Sequence, residues 1–126
     1  MHQRKRILII DDEEDIREVA QVSLELVGGH EVLTADCGRD GVERARLEQP
    51  DAILLDVMMP DMDGPATLAE LRADPATRHI PVVFLTARTQ HDDRARLVEL
   101  GPAGVLVKPF DPLKLPAEIA AVLGWS

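Results

Sequence analysis

Two apolar runs in this chain end in carboxylates: Ile7-Leu8-Ile9-Ile10 leads into Asp11-Asp12, and Ile53-Leu54-Leu55 leads into Asp56. Two later runs end in a hydroxyl at Thr86 and in an amine at Lys108, which Pro109 follows. Two like charges ~4 Å apart repel by about 4 kcal/mol at an effective dielectric near 20. Three carboxylates in one crevice therefore need a cation or protonation to coexist. Hard oxygen ligands with room left for water suit Mg²⁺, which completes its shell with water and phosphate oxygens. A phosphoryl group carried on a carboxylate is an acyl phosphate, and moving it depends on positioning and charge neutralisation. Asp56 is the candidate nucleophile, ionised at neutral pH and opening onto a loop, so no general base is needed. Asp11 and Asp12 are candidate Mg²⁺ ligands, Lys108 a candidate partner of one phosphoryl oxygen, and the Thr86 hydroxyl a donor to another.

These groups can meet only if the runs are parallel strands whose carboxyl ends share one edge. Apolar runs alternate with segments of helical period, the pattern of a βα repeat. Strands are expected at about 6–11, 31–35, 52–56, 82–86 and 104–107. The third is apolar throughout, as a central strand covered on both faces would be. Helices are expected at about 14–27, 39–48, from Pro65 to about Asp74, at 92–100, and after Asp111-Pro112. Ile16, Val19, Ala20, Leu24 and Val27 form the buried stripe of the first helix, and Gly28-Gly29 stop it. In the last helix Leu115, Ile119, Val122 and Leu123 form the stripe. Pro116 fits poorly one turn in, so that helix starts late or bends. The fold class is α/β: one doubly wound five-stranded parallel sheet with five helices, flavodoxin-like, strand order 2-1-3-4-5. Its functional crevice lies at the strand carboxyl ends.

At 126 residues, 45% of them hydrophobic and 29% charged, the chain reads as one folded domain spanning 1–126, with no repeat or linker. A net charge of -9 argues against direct nucleic-acid binding. The basic start, Arg4-Lys5-Arg6, is followed by too short an apolar stretch for a signal or membrane segment, and reads as a solvated end. A single Cys37 allows no intrachain disulfide and fits the cytoplasm. His2, His30, His79 and His91 lack metal-ligand spacing and read as surface or loop residues. Asp61 and Asp63 read as caps of the third helix and its turn, and Glu13 and Glu14 either as favourable charges at the start of the first or as catalytic groups. Met58, Met59 and Met62 are either a contact surface or tucked loop residues, and Trp125 either packs on the last helix or faces a partner.

Asp12-Glu13-Glu14, Asp56-Val57-Met58-Met59-Pro60, Asp63-Gly64, Thr86-Ala87 and Lys108-Pro109-Phe110 stand in an order and spacing that resemble the receiver domain of two-component response regulators, from about Lys5 to Leu123. The resemblance implies Asp56 as phosphoacceptor and Asp11 and Asp12 as the Mg²⁺ acid pair. It also implies the Met58 carbonyl as a further ligand, Thr86 and Lys108 as switch hydroxyl and lysine, and a cis Lys108–Pro109 peptide. The family usually carries an aromatic or histidine three residues before the lysine; this chain has Val105, and no tyrosine anywhere. The expected response is a shift of Thr86 with repacking of the fourth-helix and fifth-strand surface around Val105. Met58 and Arg88 are the positions expected to tune phosphoryl lifetime, with Ala87 a further tuning or switch position; methionine cannot orient a water, and Arg88 can cover the phosphoryl group, so loss of phosphate should be slow.

The reading that follows is a stand-alone phosphorylation switch without output domain, not a turnover enzyme. Its phosphoryl donor is a sensor histidine kinase or phosphotransfer protein, and it acts on a downstream protein target as a monomer or weak dimer, away from membranes. A carboxylate-nucleophile phosphohydrolase is the alternative; it would need a substrate cap, and would assign the nucleophile to Asp11. A pseudo-receiver that binds proteins unphosphorylated is the other. A flavin-binding protein of similar fold would need a Ser/Thr/Gly-rich loop where Asp11-Asp12-Glu13-Glu14 stands.

Overall fold

The computed structural model describes residues 4–87 and 91–125, with side chains throughout except at 91–93. Strands β1 (Arg6–Ile10), β2 (Glu31–Ala35), β3 (Ala52–Asp56), β4 (Val82–Ala87) and β5 (Gly104–Lys108) all pair in parallel, in the order β2-β1-β3-β4-β5. Helices α1 (Glu14–Val22), α2 (Gly38–Glu48), α3 (Gly64–Ala73), α4 (His91–Glu99) and α5 (Leu115–Leu123) make the crossovers. This is the doubly wound flavodoxin-like fold expected from the sequence. Every residue of β3 is buried, which is why that strand shows no alternation.

Strand alternation divides the core in two. Leu8, Ile10, Ile53, Leu55, Val82 and Phe84 face α2, α3 and α4, which supply Val42, Ala45, Leu68, Leu71 and Leu97. Ile7, Ile9, Leu54, Val83 and Leu85 face α1 and α5, which supply Ala20, Leu115 and Ile119. Burying an aliphatic side chain of this kind is worth about 1.5–3 kcal/mol, so the sheet edge is held by a stiff two-sided core. Among the described residues no helix is long and apolar enough to cross a membrane.

The structure corrects several local expectations. The first helix does not stay α-helical to residue 27: Ser23–Val27 is a π-helical turn. The buried Ser23 hydroxyl donates there to the carbonyl of Pro112, and Val27 in that turn is exposed rather than on the buried stripe, as is Val19 earlier in the helix. Gly29, at φ 68°, then takes the left-handed conformation that lets the chain turn into β2. Asp111 caps not α5 but the turn before it, accepting from the N–H of Leu113 at 2.9 Å. Helix α5 starts late, with Pro116 in its first turn, where no hydrogen bond is lost. The basic start is not simply solvated: Arg6 pairs with Glu31 at 2.5 Å and Glu48 at 2.9 Å. Lys5 Nζ stands 5.3 Å over the Trp125 ring. His30 lies in the loop before β2, as expected, but is buried there, its Nδ1 accepting from the Lys5 N–H and its ring meeting Trp125 edge-on at 5.7 Å.

Candidate functional site

Pairing register places the chemistry-bearing residues along one edge. Ile10 pairs with Leu55, so Asp11 follows beside Asp56. Asp56 pairs with Leu85, Thr86 with Val107, and Ala87 with Lys108. Because side chains alternate along a strand, Asp11, Asp56 and Lys108 leave by the face of Ile9, Leu54 and Leu106. Thr86 shares the opposite face with Phe84 and Val82. It is buried at the edge, on the other side of the sheet from the carboxylates.

Lys108 Nζ lies 3.0 Å from Asp56 Oδ1, 3.2 Å from Asp11 Oδ2 and 3.7 Å from Glu13 Oε1. Asp11 and Asp56 are almost wholly buried, whereas Asp12 and Glu13 are exposed at the mouth. Burial raises the Asp56 carboxyl from its ordinary 3.8 to about 6; the charges of Asp11 and Asp12 add to this, while the hydrogen bond and charge of Lys108 oppose it. Burial also raises Asp11, against the Glu13 N–H and Lys108. Burial works to lower Lys108, but its bond to Asp56 and the charges of Asp11 and Asp56 outweigh that and leave it raised.

One ammonium cannot balance so much negative charge. Asp11, Asp12, Glu13 and Asp56 each offer an oxygen, all within 4.8 Å of one another. Asp56 Oδ2 is buried without a hydrogen-bond partner, and Asp11 Oδ2 is met by charge at 3.2 Å rather than by a hydrogen bond of good geometry. Buried oxygens left in this state favour a cation, and an all-oxygen set fits a hard divalent ion such as Mg²⁺.

The surrounding elements fix the acceptor backbone. The Val57 N–H donates to the Leu85 carbonyl at 3.3 Å, and the Gly64 N–H to the Val57 carbonyl at 2.9 Å. A Cβ at Gly64 would stand 2.6 Å from the Asp56 carbonyl oxygen, so α3 can approach only with glycine there. Asp63 caps α3, accepting from the Ala66 N–H at 2.9 Å, and Asp61 sits beside it at φ 67°. The Lys108–Pro109 peptide is cis.

The family model of the response regulator receiver domain matches residues 7–120. This chain belongs to that family. The receiver is 38% identical over 122 residues to the alkaline phosphatase synthesis transcriptional regulatory protein PhoP of Bacillus subtilis, covering 97% of this chain and 50% of that protein. It spans about half the length of the curated relatives it matches at this level. Among solved structures, the chemotaxis protein CheY4 of Vibrio cholerae superposes with a TM-score of 0.85 at 31% identity, covering 95% of this chain and 99% of that one. The receiver domain of a sensor histidine kinase from Pseudomonas aeruginosa, solved with a magnesium ion coordinated in its active-site cleft, gives 0.84 at 29% identity, covering 97% and 99%.

The remaining candidates divide. Met58 is exposed at 63%, two residues beyond Asp56, with Met59 buried and Met62 half-buried behind it. Ala87 is half-buried opposite Lys108, and Arg88 lies outside the described residues. Val105 pairs with Phe84 and belongs to the core beneath α4, so it is an interior contact rather than part of an outer surface. Cys37 caps α2, its sulfur accepting from the Asp40 N–H at 3.5 Å. The sequence does not single out Arg17, and leaves Glu13 between a helix-end role and a catalytic one. Glu13's adjacency to the acid pair was the available signal, and it stands in the site beside Lys108.

Proposed function

We propose that this receiver accepts a phosphoryl group on Asp56 from a phosphohistidine of a sensor histidine kinase or histidine phosphotransfer protein, and signals through altered protein contacts. The observation that carries the reading is a buried Asp56 bound to Lys108 at 3.0 Å, with its second oxygen lacking a partner beside the Asp11 and Asp12 carboxylates. In the transfer an Asp56 oxygen attacks phosphorus as the P–N bond breaks, and the imidazole leaves with a proton from solvent. Lys108 moves its ammonium from the carboxylate to the phosphoryl oxygens, and Thr86 turns across the sheet edge to donate to another. Asp11, Asp12 and Asp56, with the Met58 carbonyl, are the residues that would hold Mg²⁺. When bound, the ion supplies charge neutralisation for the acids and the incoming phosphoryl group. The working compartment is the cytoplasm, the partners are proteins, and a net charge of -9 disfavours direct contact of this domain with nucleic acid.

Incubation with acetyl phosphate and Mg²⁺, followed by intact mass, tests the reading. The expected result is gain of one phosphate in the wild type and none in Asp56→Asn. Turnover of acetyl phosphate with no adduct would instead favour the phosphohydrolase, and no reaction at all the pseudo-receiver.

A further inference from the structure

The loop that carries the acid pair is held by a side chain from the helix after it. Arg17 reaches back from α1, and its Nη1 donates to the Asp11 carbonyl at 2.7 Å. The Asp11 N–H donates to the Ala35 carbonyl of β2 at 3.1 Å, and Asp11 Oδ1 accepts from the Glu13 N–H at 2.9 Å. Each polar group of Asp11 except Oδ2 is thus tied down, and Oδ2 faces Lys108. The carbonyl matters most, because it belongs to the rigid peptide plane joining Asp11 to Asp12. One hydrogen bond there holds the peptide plane from which both acidic side chains leave.

We infer that Arg17 is a positioning residue for the divalent-cation site, acting through the Asp11–Asp12 peptide; the inference rests on the function proposed above. Helix stability does not account for it, since a cation near the positive end of a helix gains nothing from the macrodipole. Arg17 also lines an open groove with Thr34, Asp36, Asp40, Glu43 and Arg44.

Positioning and bare charge predict opposite signs. Removing a cation near a metal site should tighten Mg²⁺ binding if charge alone matters. If the guanidinium orients the ligands, its removal should weaken binding, on the order of 10-fold by analogy with other outer-shell supports. The test is calorimetric titration of the whole chain with Mg²⁺, wild type against Arg17→Ala, beside thermal melts and the Mg²⁺ concentration giving half-maximal acetyl phosphate labelling. The expected result is a folded variant with weaker Mg²⁺ affinity and a half-maximal concentration raised by the same factor. Unchanged or tighter affinity in a folded variant overturns the inference, even if the melting temperature falls, because a purely structural role moves only the melt. If Arg17→Ala does not fold, Arg17→Gln takes its place with the same two outcomes. A wild type that binds no Mg²⁺ overturns the parent reading and this inference together; a wild type that binds while the variant matches it overturns this inference alone.

Discussion

At the scale of single residues, Asp56 is costly to the fold that presents it. The folded state keeps the Asp56 proton up to about pH 6, whereas an unfolded chain releases it near the ordinary 3.8. Between those values the folded state binds more protons, so this residue's contribution to stability falls as pH rises and is at its worst above about pH 6. The gap corresponds to about 2–3 kcal/mol. Asp56→Asn should therefore be more stable than wild type by about that amount at pH 7 without divalent cation, and by far less at pH 4. Urea unfolding of both proteins at the two pH values checks this, and equal stabilities at pH 7 would refute it. Met58 makes a separate case. Exposed beside the acceptor and unable to hydrogen-bond a water, it should slow loss of the phosphoryl group. Met58→Asn is expected to shorten the phosphoryl half-life measured after the donor is removed.

At the scale of elements, the close approach of α3 to β3 sets the acceptor loop. Gly64→Ala places a carbon 2.6 Å from the Asp56 carbonyl oxygen, and one of the two backbones must move. The expected cost is about 1–3 kcal/mol of stability, with slower labelling of Asp56 by acetyl phosphate. A melting temperature and labelling rate matching wild type would show the approach to be unimportant. Strands and site edge were legible because each apolar run ends in its functional group, which fixes where the strand stops and what it delivers. The late start of α5 was legible for a similar reason, since Pro116 permits few positions. The π-helical turn was not, because it accompanies a hydrogen bond from Ser23 to Pro112, 89 residues away. Arg17 was missed for a related reason: helical spacing places its Cα but not the long side chain that curls back to Asp11. The side of the sheet from which Thr86 approaches was implicit in strand alternation, yet became informative only once the register with β3 and β5 was known.

At the scale of the whole molecule, the crowded acids make fold and ligand interdependent. A cation that binds only the folded chain stabilises it by RT ln(1 + [L]/Kd), about 2.7 kcal/mol at a hundredfold excess over Kd. Mg²⁺ should raise the melting temperature by several degrees in wild type and by less in Asp56→Asn, whereas the same concentration of Na⁺ should not. An equal response of both proteins would point to nonspecific screening of the -9 charge. The sole tryptophan has a practical bearing on these measurements. Trp125 rests against Lys5 and His30, at the amino ends of β1 and β2, a strand length of about 16 Å from the carboxyl edge. With no tyrosine present, the ultraviolet emission of this protein is that one indole. It should stay dark to ligation and light up unfolding, an optical channel blind to the acids yet attached to the same domain.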